Sequence, residues 1–246
     1  MNNIGFGIFC FGDEFYYSGT LNKLNNLFAH GFDCYVLTDN PQFFEEKYNN
    51  NQLHTIYYNR TFKSYHDKMI LPKHILKNHD YCVLIDADLH IKDFSFINDM
   101  KTYEFMSGIT YIDTLKSHRS NREFVKDLMG DGPEWNSYKV YAEKIYPQYK
   151  ELETIWENLI VINKIGFEQK EFYEHYEKLQ ITKEFSDLYT NKKVSGAGEG
   201  ISLAISAKLS ECHIQRDEKL YGIISDKILD VSRNFTRPEF WPDFMK

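Results

Sequence analysis

Two carboxylates, Asp86 and Asp88, stand two positions apart at the end of the run Tyr81-Cys82-Val83-Leu84-Ile85. A run this apolar predicts a strand buried on both faces. While the backbone stays extended, residues two apart point to the same side. That side is the exit of the strand, where open α/β sheets hold their ligands. Two convergent carboxylates repel each other unless a positive charge lies between them. A divalent cation held by oxygen ligands supplies that charge. The same Asp-x-Asp also reads as a turn with a helix cap, because Asp favours both.

The elements that must position this pair follow from the pattern upstream. Residues 4–11 (IGFGIFCF) predict a first strand. Residues 15–30 predict a helix with Leu21, Leu24, Leu27 and Phe28 on one stripe, and Gly31 is placed to end it. Residues 33–38 predict a second strand that runs into the turn Asp39-Asn40-Pro41. A short helix is expected over 43–48 and a third strand over 53–58. Residues 64–77 read as a helix, with Ser64 as a possible cap and Pro72 as a kink or break. The acidic strand comes fourth. Strands alternating with helices in this way predict a mainly parallel sheet flanked by helices on both faces. Residues 1–92 then form a nucleotide-binding half.

Residues 93–246 are less regular and are expected to complete the same single domain as an acceptor-binding half. Strands are expected at 104–110 and 159–162, the latter introduced by Trp156-Glu157-Asn158. A charged amphipathic helix is expected over 167–179. A glycine-rich loop at 195–200 opens a last helix over 201–209, whose small residues suit close packing.

Composition narrows the function classes. With 246 residues, 42% hydrophobic and 16% aromatic, the chain is long and apolar enough for one large core. A formal charge of −7 argues against a general nucleic-acid or anionic-membrane binder. No apolar stretch reaches the length of a membrane span. Met1-Asn2-Asn3-Ile4-Gly5 offers no basic leader, so no signal peptide is expected. Cys10, Cys34, Cys82 and Cys212 lack metal-site spacing and read as reduced, buried thiols, from which a cytoplasmic location is expected.

Four pieces in this order resemble a nucleotide-sugar glycosyltransferase of the GT-A fold. They are Tyr35-Val36-Leu37-Thr38-Asp39 in an opening βαβ unit, Lys68-Met69 in a helix, Asp86-Ala87-Asp88, and Glu157-Asn158-Leu159-Ile160-Val161-Ile162-Asn163. The pattern is most similar to retaining hexosyltransferases of the glycogenin-like and blood-group types. The chain lacks the His-Asp-Glu-Ser of the blood-group type and the His-Phe-x-Gly of the glycogenin type. Exact family and stereochemistry are therefore left open.

The resemblance implies transfer of a hexose from a nucleotide-sugar donor, UDP-linked by expectation, with Mn²⁺ or Mg²⁺ as cofactor. Asp88 would bind the metal directly, and Asp86 would touch the ribose or the metal. Lys68 would serve the diphosphate or the donor sugar; its other reading is a solvated lysine on a charged helix. Phe9, Phe11 and Asp39, at the exits of the first two strands, would hold the base, although Phe9 also reads as core and Asp39 as a turn residue. Asn158 aligns with an amide beside the donor sugar, and Glu157 would share that role. Glu199 is the candidate acid beside the reacting carbon, or simply a first-turn glutamate favoured by the helix dipole. His213 is the candidate third metal ligand, with His90 a weaker one. The acceptor hydroxyl could belong to a saccharide, a lipid-linked glycan, a protein or a modified nucleic acid. Residues 113–149 are expected to shape its site.

Three rival readings stand beside this one. A nucleotidyltransferase of similar fold should carry a basic, glycine-rich loop after the first strand, where this chain has Phe11-Gly12-Asp13-Glu14. A phosphatase with an Asp nucleophile would want its acidic pair after the first strand. A carbohydrate-binding protein that kept the fold and lost turnover differs from an enzyme by binding donor without consuming it.

Overall fold

In the computed structural model the alternation of strands and helices builds one sheet. The structure describes residues 4–12, 14–59, 65–87, 89, 91, 93–98, 106–111, 146–148, 154–164, 171–180, 199–212 and 214–216. The strands are β1 (Ile4–Cys10), β2 (Asp33–Thr38), β3 (Leu53–Tyr57), β4 (Tyr81–Asp86), β5 (Met106–Tyr111), β6 (Thr154–Asn163) and β7 (Ile214–Arg216). The helices are α1 (Glu14–Ala29), α2 (Pro41–Glu45), α3 (Ile70–Ile75), α4 (Phe172–Gln180) and α5 (Glu199–Leu209). The seven strands lie in the order β3-β2-β1-β4-β6-β5-β7. Strands β1 to β4 run parallel, and β6 is antiparallel to both β4 and β5. Because β6 pairs with β4, the two halves of the chain share one sheet and one domain.

Alternation along the strands divides the core into two layers. Ile4, Phe6, Ile8 and Cys10 of β1 join Val83 and Ile85 of β4 on the face covered by Leu24 and Leu27 of α1. Phe9, Cys82 and Leu84 lie on the other face with Leu71 and Ile75 of α3, Phe172 and Tyr176 of α4, and Leu203 and Ile205 of α5. The period of two that separates these sets is the pleat of a strand covered on both sides.

Two glycines shape the first half. Gly31 has φ 78° and receives the end of α1, donating its N–H to the Phe28 carbonyl at 2.9 Å. Gly7 leaves room for α3: a methyl group there would come within 2.8 Å of Ile75 Cδ1 and of Leu84 Cδ2. The helix therefore lies against the backbone of β1.

Several expectations needed correction. The segment expected as one helix over 64–77 is a 3₁₀ turn, Tyr65–Met69, followed by the short α3. Pro72 accounts for the break. It has no N–H to donate and is tolerated only in a helix's first turn, which is where it stands. Helix α2 begins at Pro41, earlier than expected, because Asn40 caps it by accepting the Phe43 N–H. Strand β6 extends back to Thr154, so Glu157 and Asn158 lie within it and do not introduce it. Helix α4 starts at Phe172, and α5 starts at Glu199, before the expected 201. Cys10, Cys34 and Cys82 are buried thiols as expected, and Cys212 is a half-buried thiol. Among the described residues no helix is long and apolar enough to cross a membrane.

Candidate active site at the carboxyl edge of the sheet

Strand β1 is flanked by β2 on one side and β4 on the other, although β2 follows it directly in sequence. The chain thus reverses its direction of growth between β1 and β4. Beyond the carboxyl ends of such a strand pair an open parallel sheet leaves a crevice. Phe9 stands opposite Asp86 in the β1–β4 ladder, and Cys10 opposite Thr38 in the β1–β2 ladder. The carboxyl ends of these three strands therefore gather at one edge, and Asp86 terminates β4.

Asp86 lies on the α3 face of the sheet, in phase with Cys82 and Leu84. The 3₁₀ turn before α3 brings Lys68 to it. Lys68 Nζ is 3.3 Å from Asp86 Oδ1, and the two side chains are 4% and 26% exposed. A lysine this buried is not a solvated surface residue. Its ammonium needs an anion, and the half-open carboxylate supplies one. The neighbouring Asp67 is also buried and accepts a hydrogen bond from the Tyr58 hydroxyl at 3.3 Å.

A second lysine reaches the same residue from the opposite face. Lys23, in the middle of α1, is 2% exposed and donates to the backbone carbonyl of Asp86. Sequence reasoning missed Lys23. A signal was present: Lys23 occupies the stripe that carries Thr20, Leu24 and Leu27, all buried. A lysine on an apolar stripe is there for a partner.

The other candidates separate into groups. Phe9 and Phe11 are buried in the core, with ring centroids 4.5 Å apart, so the core reading of Phe9 holds and extends to Phe11. Asp39 is exposed just past β2, where its Oδ1 accepts the Tyr17 hydroxyl at 2.6 Å. Burial, and then that carboxylate, hold the Tyr17 phenol well above its ordinary range, so it stays a donor. Glu157 and Asn158 fall at an irregularity of β6. Between Gly108 and Ile109 of β5 the paired residue jumps from Ile160 to Trp156. Such bulges re-aim side chains and recur beside active sites. Across the other ladder Ile85 pairs with Leu159, so Asn158 is next in register toward Asp86.

Glu199 is the first residue of α5. Because β7 begins beside Met106, at the amino end of β5, α5 ends near that opposite edge. Its first residue is set back by the helix length, about 16 Å at 1.5 Å per residue. Asp88, His90 and His213 lie outside the described residues, as do residues 113–145 of the expected acceptor segment. Among the described residues no three His, Cys, Asp or Glu side chains cluster closely enough to hold a metal.

This arrangement can be compared with known proteins. The glycosyltransferase GlyE of Streptococcus pneumoniae TIGR4 matches over 98% of this chain and 53% of its own, with a TM-score of 0.51 and 13% identity. The chain has the fold of the GT-A glycosyltransferases. It spans about half the length of GlyE. The galactosyltransferase LgtC, solved with donor and acceptor sugar analogues, matches over 81% of this chain and 70% of its own at TM-score 0.49 and 10% identity. The bifunctional glycosyltransferase WbbM matches over 80% of this chain and 38% of its own at TM-score 0.44 and 10% identity. The fold assignment rests on GlyE alone. No family model matches the sequence, and no curated protein matches it.

Proposed function

We propose that this protein is a metal-dependent glycosyltransferase that moves a hexose from a nucleotide-sugar donor, UDP-linked, to a hydroxyl acceptor. The observation that carries the reading is the Lys68–Asp86 pair at the carboxyl edge, beside the point where strand order reverses. A departing nucleoside diphosphate gains negative charge as its bond to the sugar breaks. Preorganised cations and donors aimed at that charge lower the barrier.

Carboxylate oxygen is the donor that Mn²⁺ or Mg²⁺ prefers, and Asp86 offers a partly exposed carboxylate at the strand's end. Asp86 and Asp88 would hold such an ion, with His213 the candidate third ligand. The bound ion would supply Lewis-acid neutralisation of the diphosphate. Lys68 already occupies one oxygen of Asp86, which favours Asp88 as the direct ligand and Asp86 as the residue that orients Lys68 and meets the ribose. Asp39 and its Tyr17 partner lie at the exit of β2, where they suit the base or ribose. Asn158, next in register to Asp86, suits the donor sugar. Glu199 suits the reacting carbon or the acceptor.

The reading is tested by a thermal-shift screen of nucleotide sugars with and without Mn²⁺. A donor at 100 times its Kd stabilises the native state by about 2.7 kcal/mol. That corresponds to a Tm rise of about 5–10 °C for a chain of this size. A rise with UDP-hexoses only when Mn²⁺ is present supports the proposal. No rise with any nucleotide sugar contradicts it. Release of UDP from the stabilising donor then separates an enzyme from a binding protein of the same fold.

A further inference from the structure

One stripe of α1 grips the backbone that carries the acidic pair. Gly19, Lys23 and Asn26 are spaced i, i+4 and i+7, so they share a helix face. Lys23 Nζ donates to the Asp86 carbonyl. Asn26 Nδ2 donates to the Ile91 carbonyl at 3.1 Å. Gly19 lies so close that a methyl group there would stand 3.2 Å from the Ala87 carbonyl oxygen. Three carbonyls, on both sides of position 88, are thus registered against a single helix. The rest of that face, Leu24 and Leu27, is anchored in the core against β1 and β2.

We infer that Lys23 is a positioning residue for the proposed acidic pair, acting with Asn26 and Gly19 to hold the backbone at Asp86, Ala87 and Ile91. This rests on the proposed function, and it goes further by assigning a role to a helix on the opposite face of the sheet. The physical reason is that an acid following a strand is only as well placed as the turn that bears it. Asp86 is held at its side chain by Lys68 and at its main chain by Lys23. Without the second hold, the turn loses the hydrogen bond that ties its first carbonyl to the core. A metal ligand on a backbone free to shift loses affinity, because orienting partners set the geometry of the ligands they support.

The experiment is a Mn²⁺ titration of the intact chain in saturating UDP, read by calorimetry well below the Tm. Wild type, Lys23→Met, Asn26→Ala and Leu24→Ala are compared. Lys23→Met is expected to raise the Mn²⁺ midpoint at least tenfold, and Asn26→Ala to raise it by a smaller factor. Leu24→Ala, a cavity in the same helix that removes no hydrogen bond to Asp86 or Ile91, lowers the Tm and leaves the midpoint unchanged. A Lys23→Met midpoint that is unchanged overturns the inference. So does a lowered one, which would mean that the ammonium merely repels the ion. If Lys23→Met does not fold, Asn26→Ala decides, and a wild-type midpoint there overturns it. Failure of wild type itself to take up UDP with Mn²⁺ sinks the proposed function, and this inference with it. A wild type that takes up UDP with Mn²⁺ while both variants keep its midpoint sinks only the inference.

Discussion

The ammonium of Lys68 is buried and its partner Asp86 is only partly so, which sets the sign of what happens when either is removed. Lys68→Met leaves a carboxylate beside the core with no ammonium at 3.3 Å. It also removes a cation from the place where the departing diphosphate would gather charge. Donor turnover is expected to fall about 100-fold or more, measured as UDP release under saturating Mn²⁺. A fall of less than about threefold would mean the pair is structural only. At the far end of the strands a different residue contributes to behaviour in acid. His79 is buried against Tyr35, whose hydroxyl lies 3.2 Å from its Nε2. Burial holds its pKa below 6.5, and the Asp33 carboxylate at 3.5 Å pulls the other way without prevailing. With the folded value lowered, the unfolded chain binds more protons in acid. The contribution of the neutral His79 to stability is full above pH 6.5 and is lost as pH falls from there through the folded pKa. His74, also lowered by burial, adds to the same slope. His79→Gln is expected to flatten the fall in Tm between about pH 7 and 5. An unchanged slope would contradict this assignment.

At the scale of elements, the site depends on how closely α3 lies on β1. Gly7→Val would drive a side chain into Ile75 and Leu84. Overpacking of this kind costs about 1–3 kcal/mol, readable as a lower denaturant midpoint. Because α3 continues directly from the turn bearing Lys68, UDP release should fall with it, whereas a loss of stability alone would leave the rate of the folded fraction intact. The first half of this architecture was legible because its strands are unbroken apolar runs and its stops are Gly31 and the Asn40-Pro41 cap. What was not legible has local causes. The 3₁₀ turn and α3 share one apolar rhythm, so only the position of Pro72 separates them. Strand β6 was read short because Glu157 and Asn158 interrupt its apolar pattern, and the interruption is where its register with β5 shifts. Lys23 was overlooked because a single lysine inside a leucine stripe reads as tolerated, and only the sheet brings Asp86 beneath it.

At the scale of the molecule, the proposed function asks an acidic chain to receive an anionic donor. The formal charge is −7. Exposed charges beyond about 8 Å are largely screened at physiological salt, so local groups decide. Lys68 and Lys23 approach the end of β4 from opposite faces of one sheet, and the fold brings the exits of β1 and β2 beside them. Asp86, the lysines and Asn158 come from segments far apart in sequence that the strand order brings together. The measurement that tests this most directly is the rate of UDP release from a UDP-hexose by Asp88→Ala under saturating Mn²⁺. The account predicts loss of at least about 100-fold with the Tm of the unliganded protein nearly unchanged. A variant that keeps the wild-type rate would contradict it.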